Sequence, residues 1–464
     1  MTFDLMEAAR RIIAIDSRSE RSSRPVIDLL VPLCRSAGLE TSEQVEVRDG
    51  VSQFNLVASR GRLTEDSLLL ATHVDTVPPG EHALWTETGG DPFALAERDG
   101  YLYGLGVADV KLDLLCKLAA LHRLRTQPLG RGVALAATYG EETGRFGARL
   151  LVRSLRPLPG TVLVGEPSEL RPVGGHKGYV EFRVTASTDR PAPAPDLALW
   201  RVSFRGVSAH SSQTDKGVSA NSSCLDALSR LTKDPRVAVV SVRGGDVVNK
   251  VPALCDAVVA APFPPEFPRA AVCAEPQADA TRWTPGLVRL LLDLHQATGE
   301  LRRELARHPA GEYDPPYSTA NNGITDLHAS RLRYVVDVRR TPGEGPRRAL
   351  DAYQHELENL ARAHPDLTIR VERALDAPPH TPRKGSPLLA TVEAVLSERG
   401  RPKEREYKSG TTETPVYQEA GMDALVLGPG TAAANIHRPN ERIALSQLFE
   451  AVELYAGIIT RLCG

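Results

Sequence analysis

Residues 67–75 read Ser-Leu-Leu-Leu-Ala-Thr-His-Val-Asp, a short apolar run that ends in a histidine and an aspartate. A run of this length and composition predicts a buried β-strand, with His73 and Asp75 at its carboxyl end. Two further apolar runs, at 132–138 and 161–164, have the same character and are followed by acidic residues. Helical patterns separate the three runs. This alternation predicts an α/β fold whose mostly parallel sheet is covered by helices on both faces.

Ligands of such sheets bind at the carboxyl ends of the strands, where this chain places several metal-binding side chains. Imidazole nitrogens and carboxylate oxygens are common ligands of divalent metals. The set suits a pair of divalent ions, an arrangement that activates water against an amide carbonyl. The candidate ligands and their acidic neighbour are His73, Asp109, Glu141, Glu142, Glu166 and His437.

Each candidate also has an ordinary structural interpretation when it is taken alone. Asp109 could cap the helix that is predicted to follow it, because aspartate favours the N-cap position. Glu166 could be a solvated turn residue and His437 a loop histidine. Glu141 and Glu142 are adjacent acids that repel each other, which favours different roles, one as a metal ligand and one as a proton shuttle. A glutamate that acts as a base needs a pKa raised towards the working pH.

The pattern changes near residue 179, where alternating polar and apolar residues predict half-exposed strands with helices between them. We predict an α+β lid domain over 179–379, inserted into a catalytic domain formed by 1–178 and 380–464. Insertion follows because His437 must join ligands from the first part of the chain. The Pro-rich stretch 189–195 falls in this domain, and the segment 263–325 is interpreted as an extra insertion with no assigned role.

The composition excludes several classes of protein. A chain of 464 residues is too long for one core, and its 42% hydrophobic and 25% charged residues are typical of a globular protein. A net charge of −2 favours neither nucleic acid nor an anionic membrane surface as a partner. No apolar stretch approaches the roughly 20 residues of a membrane span, and the acidic N-terminus predicts no signal peptide. Six scattered cysteines without CxxC spacing lead us to expect a reduced, cytoplasmic protein.

At this point the chain resembles the dizinc peptidases and deacylases that include aminoacylase, glutamate carboxypeptidase, acetylornithine deacetylase and succinyl-diaminopimelate desuccinylase. The resemblance covers nearly the whole chain apart from the segments near 189–198 and 263–325. The matching motifs lie at 72–78, 106–111, 140–144, 164–167, 206–212 and around His437.

The resemblance implies two divalent metal ions, with zinc as the expected metal and cobalt or manganese as alternatives. Five residues would hold them: Asp109 as the bridge, His73 and Glu166 at one ion, and Glu142 and His437 at the other. Glu141 would be the general base, and Asp75 would orient His73 as a carboxylate behind a ligating histidine usually does. His210 would cross to the partner subunit of a homodimer and stabilise the oxyanion there.

The implied reaction is hydrolysis of the amide of an N-acyl amino acid or an amino-protected biosynthetic intermediate, free or linked to a carrier. Arg339 matches a family arginine that would bind the substrate carboxylate, and Asn249 matches a family turn motif. Asn321 and Asn322 compete with Asn249 for that role. In the 409–413 loop, Thr411 and Glu413 are further substrate candidates; Glu413 could bind a substrate ammonium or cap the loop.

Three alternatives stay open. A dipeptidase or carboxypeptidase would use the same metals with a different pocket. An inactive relative could bind a metabolite or a partner, but a binder has no reason to keep Glu141. A purely structural metal protein is disfavoured, because three acids beside an unliganded glutamate make a poor closed zinc site.

Overall fold

The computed structural model describes residues 3–193, 196–267, 270–275 and 282–464. Parts of the predicted Pro-rich stretch (194–195) and of the 263–325 segment (268–269 and 276–281) therefore lie outside the described residues. The helices are α1 Leu5–Ile13, α2 Arg24–Ser36, α3 Lys111–Arg123, α4 Glu141–Gly144, α5 Phe146–Ser154, α6 Ala220–Leu231, α7 Pro285–Ala306, α8 Glu344–Ala363, α9 Pro387–Glu398, α10 Thr414–Glu419 and α11 Leu445–Cys463. Short 3₁₀ turns cover His82–Leu84, Thr86–Thr88 and Ser211–Lys216.

The strands are β1 Glu40–Arg48, β2 Val51–Arg60, β3 Leu68–His73, β4 Ala96–Arg98, β5 Tyr101–Tyr103, β6 Val133–Thr138, β7 Thr161–Val164, β8 Val173–His176, β9 Gly178–Ser187, β10 Ala192–Pro193, β11 Leu199–Arg205, β12 Ala238–Gly244, β13 Leu254–Ala260, β14 Ala270–Glu275, β15 Arg282–Trp283, β16 Thr319–His328, β17 Arg331–Arg340, β18 Thr368–Ala377, β19 Glu406–Lys408, β20 Asp423–Val426 and β21 Arg442–Ala444.

The chain divides into two compact units. The first comprises Met1–Gly175, Thr381–Tyr407 and Thr412–Gly464, and the second comprises His176–His380 and Lys408–Thr411. Thus residues 176–178, 380 and 408–411 of the predicted catalytic range belong to the second unit. The backbone explains this grouping, because the Lys177 N–H donates to the Lys408 carbonyl at 2.9 Å.

The first unit is built on a six-stranded sheet in the order β1-β2-β6-β3-β7-β20. The pairings of β3 with β6, β3 with β7 and β7 with β20 are parallel. Alternate residues of β3 enter different cores, since Leu68 and Leu70 pack on one face while Leu69 and Ala71 pack on the other. The sheet is therefore buried on both faces, and the predicted metal ligands that follow β3, β6 and β7 share its carboxyl edge.

The edge of this sheet contains a hairpin that the sequence analysis did not identify. Strands β1 and β2 pair antiparallel from Glu40 opposite Ser59 to Arg48 opposite Val51. The two residues between them, Asp49 and Gly50, have φ of 49° and 80°. An Asp-Gly pair with two positive φ angles is the preferred two-residue hairpin turn, so the signal was present in the sequence.

The second unit contains an antiparallel sheet of eight strands in the order β14-β11-β13-β12-β16-β17-β9-β18. Helices α6, α7 and α8 contribute residues to a single core with the strands, as expected for an α+β unit. The predicted fold class, an α/β unit with a mostly parallel sheet and an inserted α+β unit, is confirmed.

The segment 263–325, interpreted from the sequence as an extra insertion, is part of the core and the sheet of the second unit over much of its described length. Helix α7 buries Leu287, Leu290 and Leu294 in the core of the second unit. Strand β16 lies between β12 and β17 inside the sheet. The Ala-Asn-Asn-Gly sequence in β16 lacks the apolar residues expected of a buried strand. Its amides are tolerated there because they bind internal groups: Asn322 Nδ2 donates to the carbonyl oxygen of Val335 at 3.2 Å.

None of the helices in the described part of the chain has the length and apolar composition that a membrane crossing requires.

Candidate metal centre

Three buried side chains of the first unit form one group of candidate ligands. His73 is the last residue of β3, and its Nε2 lies 3.4 Å from Asp109 Oδ1 and 4.0 Å from Glu166 Oε1. The His73 Nδ1–H donates to the backbone carbonyl of Asp75 at 3.1 Å. This bond orients the ring and leaves Nε2 facing the two carboxylates, the arrangement usual for a ligating histidine.

A second group shares Asp109 with the first. His437 Nε2 lies 3.0 Å from Asp109 Oδ2 and 3.1 Å from Glu142 Oε1. Glu142 is half-buried, and the His437 side chain is 47% exposed, so this group faces the open side of the site. The two oxygens of Asp109 thus point to different groups, which is the geometry that a bridging carboxylate needs.

These groups fit a divalent cation. Ligands bound to zinc at about 2.0–2.2 Å lie about 3–4 Å from one another in a tetrahedral arrangement. In each group the ligand atoms lie within 4.8 Å of one another. Hydrogen bonds from His437 and His73 outweigh burial and hold the pKa of Asp109 below its usual range. Burial opposes charge on His73, yet hydrogen bonds and charges from Asp109 and Asp75 raise its pKa well above the usual value.

Glu141 directly precedes Glu142 in the chain and belongs to neither group. It begins helix α4 and is half-buried. Burial, and then the charges of Glu166 and Glu142, raise its pKa well above the ordinary value. A carboxylate in such surroundings takes up a proton more readily than a solvated one, as a general base must.

Asp75 holds the start of α4 against the end of β3. Its Oδ1 accepts the backbone N–H of Glu141 at 3.1 Å, and its Oδ2 accepts that of Glu142 at 3.2 Å. Ser19 Oγ donates to Oδ2 at 2.7 Å. The Asp75 carboxylate lies 3.5 Å from His73 Nδ1, farther than its own backbone carbonyl. It therefore positions the two glutamates more directly than it orients the histidine.

A buried ion pair supports the strand that carries His73. Lys117 Nζ lies 2.8 Å from Asp113 Oδ2, and both side chains are fully buried. Thr72 Oγ1 donates to Asp113 at 2.7 Å and accepts from Lys117 at 2.9 Å. Tyr455 also donates to Asp113. Every member of this network has a partner, which is the condition for a buried polar network to rigidify its surroundings.

The glycine before Glu166 is required by the same network. A Cβ built on Gly165 would overlap Asp113 Oδ2 and would lie 2.7 Å from Thr72 Oγ1. Only glycine allows the end of β7 to pass this close to the ion pair. The glycine of the Gly165-Glu166 motif is therefore required for steric reasons.

The alternative in which Asp109 caps a helix is wrong. Helix α3 begins at Lys111 with Val110 as its N-cap, and no side chain caps it. Sequence reasoning missed the residue that does hold this loop. Glu441 is 1% exposed and accepts the backbone N–H groups of Ala108 and Asp109 at 2.8 and 3.0 Å. Its position four residues after His437 was the available signal.

Glu413, the candidate for a substrate ammonium or for a cap of the 409–413 loop, is the N-cap residue of helix α10 and makes no side-chain capping bond there. Its side chain is fully buried in the first unit. Tyr417 donates to its Oε2 at 3.4 Å. Burial raises the pKa of Glu413 to about 7. The apolar residues around the 409–413 loop were too few in the sequence to reveal this burial.

His210 belongs to the second unit and is exposed at the start of the 3₁₀ turn Ser211–Lys216. Its Nδ1 accepts the backbone N–H of Ser212 at 3.2 Å. In the neutral ring this places the proton on Nε2 and makes that atom a donor, as an oxyanion partner requires.

Arg339 is buried in the second unit. Its guanidinium pairs with both oxygens of Asp337, with Nε 3.0 Å from Oδ1, and lies over the ring of Tyr179 at 4.1 Å. Asp337 also accepts from Ser211 Oγ at 3.0 Å. Within this unit the candidate carboxylate binder is therefore linked to the residue that follows His210. Arg339 is therefore not a surface arginine.

The other substrate candidates also lie in the second unit. Asn249 is exposed, and its carbonyl accepts the Ser211 N–H at 3.0 Å. Its competitor Asn321 is buried and donates to the carbonyls of Val248 and Lys250, on either side of Asn249. Asn322, the second competitor, is buried in β16. Thr411, the candidate from the 409–413 loop, is half-buried.

Comparisons with known proteins identify the family of this chain. The profile of peptidase family M20/M25/M40 matches residues 69–461. The acetylornithine deacetylase of Pasteurella multocida (strain Pm70) is 31% identical over 273 residues, which are 55% of this chain and 65% of that protein. The acetylornithine deacetylase of Klebsiella pneumoniae (strain 342) is 32% identical over 266 residues, 54% of this chain and 63% of that protein. The matches thus span less than two thirds of these curated relatives.

A solved structure shares the fold along nearly the whole chain. The aminoacylhistidine dipeptidase from Vibrio alginolyticus superposes with a TM-score of 0.72 at 16% identity, covering 98% of this chain and 96% of its own. The family profile covers far more than half of the sequence and includes every candidate metal ligand. The resemblance first drawn from the motifs is confirmed, and the chain belongs to peptidase family M20/M25/M40.

Proposed function

We propose that the protein is a metal-dependent amidohydrolase that cleaves the amide bond of an N-acyl amino acid or an amino-protected biosynthetic intermediate. The observation that carries this proposal is the pair of ligand groups that share Asp109, with Glu141 beside them and outside both. Zinc is the proposed metal because its ligands are nitrogen and oxygen donors of this kind. The acetylornithine deacetylases among the relatives support the acyl amino acid as substrate class.

The ligand groups would hold two divalent ions, which would polarise the amide carbonyl and lower the pKa of the attacking water. Glu141 takes a proton from that water and later delivers it to the leaving amine. The N–H groups of Glu141 and Glu142 are tied to Asp75, so the base and its neighbouring ligand keep a fixed relation. Three carboxylates and an adjacent base suit hydrolysis better than structural metal binding.

The second unit would supply the oxyanion donor and the carboxylate contact. His210 presents Nε2–H as a donor because its Nδ1 is engaged by Ser212. Arg339 is held by Asp337, which also binds Ser211, so the two groups are ordered together. We propose that the protein is a homodimer in which His210 acts in the active site of the partner subunit, with Asn249 and Thr411 as further substrate contacts.

The central experiment measures release of free amine from a panel of N-acyl amino acids and dipeptides by the zinc- or cobalt-loaded protein. We expect N-acyl amino acids to be cleaved with higher kcat/KM than dipeptides. Glu141→Gln should lower kcat by roughly 10²–10⁴, the usual contribution of a general base. Glu97→Gln is the matched control, because Glu97 is an exposed glutamate in β4 of the same unit and should leave kcat unchanged.

Each outcome has a meaning. Full activity of Glu141→Gln would remove the base from the mechanism. A wild type that binds two metals but cleaves nothing in the panel would favour a binding protein. Preferential cleavage of dipeptides would replace the deacylase with a dipeptidase that uses the same centre.

The homodimer has its own test. Glu141→Gln and His210→Ala, each expected to have a strongly reduced rate alone, are mixed under conditions that allow subunits to exchange. If His210 acts across the interface, hybrid dimers regain part of the wild-type rate. Sedimentation of the active wild type as a single chain would contradict the dimer.

The thiols found at all six cysteines in the structure support the proposed reducing, cytoplasmic compartment.

A further inference from the structure

Glu441 holds the loop that precedes helix α3, and no step of the proposed reaction uses it. Its Oε1 accepts the N–H groups of Ala108 and Asp109 at 2.8 and 3.0 Å, and its Oε2 accepts that of Gly106 at 3.2 Å. Its own carbonyl accepts the Gly104 N–H at 3.1 Å. One buried residue therefore binds both ends of the 104–109 loop, which carries the shared candidate ligand Asp109.

Glu441 is equally well fixed to the loop that carries His437. The Asn435 side chain accepts the N–H of Arg442 at 3.0 Å and donates to its carbonyl at 2.8 Å, which closes the loop around His437. Asn440 Oδ1 accepts the Glu87 N–H at 3.0 Å. The backbone from His437 to Glu441 therefore has little freedom relative to the carboxylate at its end.

We propose that Glu441 is a positioning residue that sets the separation of Asp109 and His437, and that the ion held by Asp109, Glu142 and His437 depends on it. The inference rests on the proposed dimetal centre. It goes further by assigning the alignment of one specific ion site to a residue that touches neither the ions nor the substrate.

The chemistry of a carboxylate explains why glutamate stands here. Three N–H donors converge on two oxygens, and an ionised carboxylate offers acceptor sites at both. A glutamine offers one acceptor oxygen, so its NH₂ would face either the Gly106 N–H or the pair at Ala108 and Asp109. Unmade hydrogen bonds of buried N–H groups are costly, so the loop would shift to reach other partners.

The test compares Glu441→Gln with Asp423→Asn as a matched control. Asp423 is also a buried carboxylate of the first unit, and its Oδ2 accepts from Ser386 Oγ at 2.8 Å and from the Leu388 N–H at 3.2 Å. It binds the start of α9 and neither ligand loop. Both variants lose hydrogen bonds in the interior, so both should lower Tm.

Metal-depleted proteins are titrated with cobalt(II), and bound ions are counted by equilibrium dialysis and followed by visible absorption. We expect Glu441→Gln to weaken one of the two ions by roughly 10–100-fold, the usual effect of removing a partner behind the ligands. Asp423→Asn should bind both ions as wild type does. Glu441→Asp, which keeps the charge but is one methylene shorter, should also weaken that ion and serves if the glutamine variant does not fold.

Wild-type affinities in Glu441→Gln, or an equal loss in Asp423→Asn, would overturn the inference while leaving the dimetal centre standing. A wild type that takes up no cobalt would instead overturn the proposed centre. The two failures are therefore distinguishable in one titration.

Discussion

Replacing Glu413 with glutamine should stabilise the metal-free protein above neutral pH and have a much smaller effect in acid. Glu413 is fully buried, and burial raises its pKa from 4.5 to about 7. Below about pH 4.5 the carboxyl is neutral in both the folded and the unfolded chain, so it adds no pH-dependent term. Above about pH 7 it is ionised in both states, and the folded chain must bury the charge. The unfolded chain binds fewer protons between these limits, so wild-type stability falls as pH rises through the window.

The magnitude follows from the shift. At about 1.4 kcal/mol per pKa unit, ionised Glu413 costs the folded state about 3 kcal/mol. Urea unfolding of metal-free wild type and Glu413→Gln, measured at pH 5 and pH 8, gives the free energy of unfolding at each pH. We expect the gain from glutamine to be about 2 kcal/mol larger at pH 8 than at pH 5.

Exposed Glu97→Gln is the control and should show no difference between the two pH values. An equal effect of Glu413→Gln at both pH values would refute the reasoning. The stabilisation by glutamine should grow with pH only because the substitution removes a carboxylate that is ionised and buried at high pH.

Two further predictions concern the supports of the metal centre. Gly165→Ala should destabilise the protein by roughly 1–3 kcal/mol, as measured by urea unfolding, because the added Cβ overlaps Asp113 Oδ2; wild-type stability would show that the ion pair can move aside. Asp75→Asn should weaken metal binding by roughly 10–100-fold in a cobalt titration, because one of the N–H groups of Glu141 and Glu142 loses its acceptor. Unchanged affinity would limit Asp75 to a structural role.

The candidate ligands could be found from the sequence because they obey a local rule. His73 and Glu166 follow strands of one parallel sheet, so topology alone predicts that they meet at its carboxyl edge. Asp109 and His437 were instead predicted from the order of the motifs along the chain. In the structure, His73 Nε2 and His437 Nε2 lie 3.4 and 3.0 Å from the two carboxylate oxygens of Asp109. Strand ends and motifs are recognised from a few neighbouring residues, so the candidate ligands that lie in them could be predicted from the sequence.

The supports of the site were not readable, because they act across long stretches of chain. Glu441 binds N–H groups more than 330 residues earlier, and backbone donors leave no trace in a sequence pattern. Asp75 was expected to orient His73, yet its carboxylate accepts the N–H of Glu141 at the start of α4. This contact depends on the position of a four-residue helix, which the sequence does not specify. Glu413 looked polar and available because its burial depends on Tyr417 and the surrounding core.

The second unit shows the opposite limit. Half-exposed strands were predicted from the alternation that begins near residue 179, whereas β16 was missed because its amides pair inside the sheet. Polar residues that satisfy internal groups do not follow the alternation on which strand prediction relies.

The most direct test of the account is the number of metal ions bound by the wild type and by two ligand variants, measured after dialysis with zinc. The account predicts two ions per chain in the wild type, one in His437→Ala and a loss of affinity at both positions in Asp109→Asn, because Asp109 belongs to both ligand groups. One ion or none in the wild type, or an unchanged count in Asp109→Asn, would contradict the shared carboxylate on which the mechanism depends.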